Sequence, residues 1–184
     1  MNLIDQLRQG IRNKESRELS HPSRVLIFGP GDSNGKRKRR NLAARLRRIG
    51  FKVSMSESLS RKVPSFLTAH QQESEHWRLF DYILILNFSH GANQEVAAFA
   101  HEADFRSRAF IVFPEQFDPL YSSSFGSEVL KAYPFRVRAN DQEWETCKAS
   151  ELCLDYVRAR RAIDVERLST PLLSEPQPEG RLLE

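Results

Sequence analysis

The chain has 184 residues, of which 40% are hydrophobic and 10% aromatic, so we expect one domain with its own core. No apolar run approaches the roughly 20 residues of a membrane span, and no signal peptide pattern occurs, so we expect a cytoplasmic protein that does not bind membranes. Its two cysteines, Cys147 and Cys153, fit neither a zinc site nor a disulfide framework, and we predict both on one helix.

The net charge of +4 comes from one segment, because residues 36–48 contain eight basic side chains and no acidic one. Without them the chain has 20 basic residues against 24 acidic ones. Such a cluster can bind phosphates or nucleic acid, although a solvated helix face is the usual fate of a charge run. We assign nucleic-acid or protein-partner binding to Lys36, Arg37, Lys38, Arg39, Arg40, Arg45, Arg47 and Arg48.

Hydrophobic periodicity predicts the elements in chain order. The first half is predicted to contain an amphipathic helix over 2–13, a buried strand over 25–28, a helix over 36–49 that ends before Gly50, a strand over 51–55 and a helix over 65–80. The second half is predicted to contain a strand over 81–88, a helix over 95–101, a strand over 109–113, a short helix over 128–131, a weak strand over 133–137 and a long helix over 141–163.

This alternation predicts an α/β protein with a flavodoxin-like, Rossmann-type three-layer fold and a mainly parallel sheet of about five strands. The predicted organisation is an N-terminal helix and linker over 1–20, the α/β domain over 21–168, and a disordered tail over 169–184. The tail is predicted because residues 170–184 contain three prolines and no periodicity.

The turn after the first strand, Gly29-Pro30-Gly31-Asp32, is a candidate ligand loop. Its glycines let the backbone approach a ligand, and the helix that follows favours an anion at its first turn. The spacing fits neither the dinucleotide fingerprint nor the P-loop. An ordinary turn capped by Asp32 or Asn34 is the alternative.

A second candidate loop follows the strand over 81–88. It contains Asn87, Ser89, His90 and Gly91, and we expect Glu95 in the first turn of the next helix. Ligands bind beyond the carboxyl ends of strands in open α/β sheets, so this carboxylate is placed for catalysis. An acidic residue there also offsets the helix dipole, which is the structural alternative.

Two carboxylates on neighbouring loops can divide acid and nucleophile roles, so Asp32 is the candidate acid beside Glu95. Asn87 and Ser89 are candidates for holding sugar hydroxyls. Asp81 begins its strand at the far end, where a structural role is expected. The five histidines form no metal signature, and we expect neither metal nor cofactor.

The residues Ser89-x-Gly91 and Glu95-Val96-Ala97-Ala98-Phe99, following that strand, resemble the nucleoside 2-deoxyribosyltransferase-like superfamily. Over about residues 24–137 the chain is most similar to the deoxyribosyltransferase-like effectors of bacterial retron defence systems. His90 replaces a proline of the retron pattern and Ala97 a glycine. The Asp-rich sugar loop of housekeeping transferases is absent, which favours hydrolysis over transfer.

The resemblance implies that Glu95 attacks or stabilises C1′ of a nucleoside sugar while the base leaves, with Gly91 shaping its loop. It also implies that Gly29, Pro30, Gly31 and Asp32 hold base or sugar. The expected substrate is a nucleoside, a nucleotide or NAD, and a homo-oligomer is expected. The alternative is a non-catalytic nucleotide-sensing or nucleic-acid-binding module of a defence complex.

Overall fold

The computed structural model describes residues 23–59, 77–119 and 125–169. The strands of this part are β1 (Arg24–Phe28), β2 (Lys52–Met55), β3 (Tyr82–Leu86), β4 (Ala109–Phe113) and β5 (Arg136–Arg138). They pair in parallel in the order β2-β1-β3-β4-β5. This is the flavodoxin-like strand order, so the predicted fold class is confirmed.

Helices connect these strands and follow the last one. The α-helices of the described ranges are α1 (Ser33–Arg48), α2 (Ser56–Leu59), α3 (His90–Ala98), α4 (Ala103–Arg108), α5 (Phe125–Lys131), α6 (Asp141–Glu145) and α7 (Lys148–Ser169), with a 3-10 turn at Glu115–Phe117. Within these ranges, no helix combines the length and the apolar character needed to cross a bilayer.

The chain divides into two compact units, one of residues 22–157 and one of residues 1–21 with 158–184. The first contains the whole sheet. Of the second, only residues 158–169, the end of α7, are described. The helix predicted over 2–13, most of the helix predicted over 65–80, and the tail over 170–184 lie outside the described residues.

The strands β1, β3 and β4 are buried on both faces because their apolar residues alternate between two cores. One core joins sheet residues such as Val25 and Leu84 to Leu42 of α1 and Val157 of α7. The other core joins residues such as Leu26, Ile83, Val96, Phe105 and Tyr133, which brings α3, α4 and α5 onto the opposite face. The sheet therefore lies between two helical layers.

Capping residues start two helices earlier than hydrophobic periodicity predicts. Helix α1 begins at Ser33 instead of residue 36 because the Asp32 carboxylate accepts a hydrogen bond from the Gly35 backbone at 2.6 Å. Helix α3 begins at His90 instead of residue 95 because the Ser89 hydroxyl accepts one from Ala92 at 3.2 Å. The prediction that Glu95 lies in a first helical turn is therefore wrong.

The long helix predicted over 141–163 is broken into α6 and α7. Thr146 ends α6 with its backbone N–H donating to Gln142, and Cys147 then adopts a left-handed φ of 64°. A non-glycine residue in this conformation is uncommon, so the sequence carries no signal for the break. Cys147 lies in the break and Cys153 in α7, so their predicted placement on one helix is wrong.

We predict that Gly35→Ala destabilises the protein by about 1–3 kcal/mol, because an added methyl group overpacks this site. A Cβ at Gly35 would lie 2.5 Å from the Pro30 Cβ and 2.6 Å from the Pro30 carbonyl oxygen. Urea unfolding of Gly35→Ala and of Gly31→Ala measures the effect. Gly31→Ala is the control, because no heavy atom lies within 4 Å of a Cβ at Gly31. Equal stability of the two variants would contradict the prediction.

Candidate functional site

A cavity of about 270 Å³ opens at the carboxyl ends of the strands. It lies where the chain order reverses, because β1 is followed by β2 on one side and paired with β3 on the other. Such a switch point is the usual ligand site of a doubly wound sheet. The described residues that line it are Pro30, Asp32, Asn34, Gly35, Lys38, Leu86, Phe88, Pro114, Gln116 and Asp141.

The turn after β1 is held tightly against the neighbouring strand. Gly29 has a φ of 151°, and a Cβ there would lie 3.0 Å from the Leu86 Cβ. Asp32 both caps α1 and lines the cavity with an exposed carboxylate. The capping alternative for Asp32 is thus realised, and its position at the cavity is compatible with the predicted catalytic role.

Arg39 supports this turn from inside the protein. Its side chain is fully buried, and its Nη2 donates to the Pro30 carbonyl oxygen at 2.8 Å. Its two terminal nitrogens, Nη1 and Nη2, also donate to the Glu57 carboxylate of α2, with Nη1 to Oε2 at 2.7 Å. Because Arg39 is buried in this network, it is part of the scaffold under the cavity and not of an exposed binding face.

The loop after β3 sends its side chains to opposite faces of the sheet. Phe88 continues the face of Leu86 and lines the cavity, whereas Asn87 is buried on the other side. The Asn87 Nδ2 donates to the Asn93 Oδ1 at 3.3 Å, and its own Oδ1 has no hydrogen-bond partner among the described residues. Asn87 therefore connects β3 to α3.

The predicted ligand residues are only partly brought together by the fold. Within the described ranges, Pro30 and Asp32 line the cavity, and Gly29, Gly31, Asn87, Ser89 and Gly91 do not appear in its wall. Gly91 is a helical residue, and a Cβ there would have open space around it, so it does not lie in the loop that it was expected to shape. The side chains of His90 and Glu95 lie outside the described residues.

The backbone that carries Glu95 is anchored immediately after it. The Tyr133 hydroxyl donates to the Val96 carbonyl oxygen at 2.6 Å in a buried contact. This carbonyl lies in the last turn of α3, where the Ala100 N–H bonds the Ala97 carbonyl instead. Burial raises the pKa of Tyr133, so the hydroxyl keeps its proton and remains a donor.

Most of the basic residues of α1 have partners elsewhere in the fold. Arg37 bonds Glu145 of α6 at 2.7 Å, and Lys38 bonds Asp141 at the start of the same helix. Arg45 bonds both Ser150 and Glu151 of α7. Arg47 donates to the Val53 carbonyl oxygen at 2.8 Å.

Acidic residues about a hundred positions later pair with Arg37, Lys38 and Arg45, so part of the positive charge of this helix is compensated within the fold. Lys36, Arg40 and Arg48 are exposed. Nucleic-acid or partner binding by this helix stays a prediction, now centred on those three residues.

Sequence reasoning missed the other cavity residues. Phe88, Pro114 and Asp141 follow closely on the ends of β3, β4 and β5. Their positions directly after strands indicated that they lie at the cavity, because the carboxyl ends of all parallel strands meet at one edge of the sheet. Lys38 had no such signal because its side chain faces the cavity from within a helix of similar residues. Among the described residues, no three His, Cys, Asp or Glu side chains converge as a metal site would require.

Comparison with protein-family models and with curated proteins finds no match to this chain.

We predict that Tyr133→Phe destabilises the protein by about 1–3 kcal/mol, because it leaves the buried Val96 carbonyl without its hydroxyl partner. Tyr156→Phe is the matched control, since its hydroxyl bonds the Arg108 carbonyl at 3.2 Å in a partly buried position. Denaturant unfolding measures both changes. A loss at Tyr133 no larger than that at Tyr156 would refute the predicted role of the anchor.

We predict that the Glu57 carboxylate makes stability fall in acid. Burial on its own would raise the pKa of Glu57, but the hydrogen bonds and charge of Arg39 hold it below its ordinary value. A lowered native pKa stabilises the fold above the unfolded pKa, about 4.3, and this contribution is lost as the pH falls through the native pKa. Thermal unfolding measured across this pH range should show that Glu57→Gln loses less stability in acid than the wild type. Parallel curves of stability against pH for the two proteins would contradict the prediction.

Proposed function

We propose that this protein cleaves the N-glycosidic bond of a nucleoside-like ligand bound in the cavity at the β1–β3 switch point. The observation that carries the proposal is the composition of that cavity. It combines an aromatic wall, Phe88, with a carboxylate, Asp32, at the ends of two adjacent strands. An aromatic ring can contact a nucleobase, and a carboxyl group can transfer a proton to the leaving base.

The size of the cavity favours a small ligand. At about 270 Å³ it is slightly smaller than the usual small-molecule site, which measures roughly 300–1,000 Å³. A single base with its sugar is therefore a better fit than a whole dinucleotide. For NAD, only one nucleoside half would enter, and the remainder would extend into solvent.

In the proposed reaction, the C1′–N bond breaks and its electron pair goes to the base. Glu95 stabilises the oxocarbenium-like centre at C1′ or attacks it. Water supplies the oxygen that ends on C1′, and one of its protons ends on the base, so the products are free base and free sugar. Asp32 transfers that proton as the acid, a role typically worth about 10²–10⁴-fold in rate.

With the resemblance to retron effectors, we extend the proposal to a cytoplasmic, homo-oligomeric enzyme of bacterial antiviral defence. A nucleic-acid or protein partner would then contact the exposed Lys36, Arg40 and Arg48 of α1. Such contacts would weaken with salt, because they depend on charge.

A nucleotide-sensing module without catalysis is the second candidate, and one observation favours it. The Asp32 carboxylate already accepts the capping hydrogen bond of Gly35 at 2.6 Å, which ties it to a structural task. A sensor would bind the same ligand and release nothing.

Chromatography of free base released from nucleosides, nucleotides and NAD tests the proposal. We expect release by the wild type, and a fall of at least about 100-fold in Glu95→Gln and in Asp32→Asn, as for lost electrostatic or acid catalysis. Asp81→Asn is the control, because Asp81 accepts a hydrogen bond from the Arg24 backbone at the opposite end of β3.

The outcomes separate the two candidates. Release that all three variants retain would show that these carboxylates are not catalytic. Absence of release from every substrate, with a ligand still bound, would reject cleavage and support the sensor.

A further inference from the structure

Lys38 is unusual among the basic residues of α1 because it is 8% exposed and lines the cavity. Its ammonium lies 5.3 Å from the centre of the Phe88 ring and bonds the Asp141 carboxylate. Burying an ammonium group is unfavourable unless it is paired, and here the Asp141 carboxylate is its partner. An ammonium has three N–H donors, and the contacts with Phe88 and Asp141 leave at least one of them for a ligand.

Asp141 presents the complementary group at the same cavity. Its side chain is 79% exposed and also lines the wall. A carboxylate has about four acceptor positions, so the bond from Lys38 leaves most of them open to a ligand. The cavity therefore holds a donor and an acceptor side by side, next to an aromatic ring.

The packing of α6 on α1 does not by itself explain why the Lys38–Asp141 pair has a buried ammonium group. Arg37 and Glu145 join the same two helices at 2.7 Å, with both side chains about half exposed, and neither lines the cavity. An exposed bridge of this kind holds two helices together without burying an ammonium group. The buried position of Lys38 thus indicates a task inside the cavity.

We propose that Lys38 and Asp141 recognise the lactam edge of a nucleobase, where a carbonyl oxygen stands next to an N–H. The Lys38 ammonium donates to the carbonyl, and the Asp141 carboxylate accepts from the N–H, while Phe88 contacts the base. This rests on the proposed function in taking a nucleoside as the ligand. During cleavage the electron pair of the C1′–N bond moves onto the base, and the ammonium stabilises the negative charge that develops on the carbonyl oxygen.

Calorimetric binding of inosine and purine riboside tests the pair, because these nucleosides differ only in the carbonyl and N–H of the base edge. We expect the wild type to bind inosine at least about tenfold more tightly, the value of a charge-assisted hydrogen bond. Lys38→Met and Asp141→Asn should bring this ratio close to one. Lys38→Arg should retain part of it, because the cation is kept.

Arg37→Met and Glu145→Gln are the matched controls, since they break the neighbouring ion pair of the same two helices and should keep the inosine preference. An unchanged ratio in Lys38→Met overturns the proposal, as does a wild type without preference or without binding. An equal loss of preference in Arg37→Met overturns it as well, because the effect would then come from docking.

Base release, measured in parallel, separates this inference from the proposed function. Selective binding that depends on Lys38, without cleavage, would reject the enzyme and keep the recognition pair. Cleavage with an inosine preference that does not depend on Lys38 would keep the enzyme and reject the pair.

Discussion

Burial of the central strands on both faces is the constraint on which the fold depends. Since β1, β3 and β4 expose almost nothing, helices must cover both sides, and each connection must cross from one end of the sheet to the other. All strands then end at one edge. Polar and glycine-rich segments collect there, and the reversal of strand order leaves a cavity between the turns after β1 and β3.

Helix α1 links this core to the cavity. Its apolar side joins the core through residues such as Leu42, and its cations bond the acidic residues of α6 and of the first turn of α7. A charge excess that would repel itself in isolation is compensated in part by distant carboxylates. An exposed pair such as Arg37–Glu145 contributes little stability, roughly 0–1 kcal/mol, so its main effect is to select a partner surface.

The turn after β1 combines scaffold and candidate chemistry in a few residues. Arg39 holds the Pro30 carbonyl and bonds Glu57, which connects the cavity to the segment after β2. Asp32 caps α1 while it faces the cavity. Changes in these residues would alter structure and ligand contacts together. The proposed base-recognition pair is easier to separate, because Arg37 and Glu145 offer an equivalent ion pair away from the cavity.

The sequence alone determined the class of fold and the number of strands in the described sheet, because apolar runs and their spacing are local signals. It also indicated Pro30 and Asp32. The caps at Asp32 and Ser89, which set two helix starts, are also local, because each bonds a backbone N–H three residues later. Tertiary structure decided the break at Cys147 and the burial of Arg39. It also turned Lys38 toward the cavity, since a side chain's partner a hundred residues away leaves no mark in the local pattern.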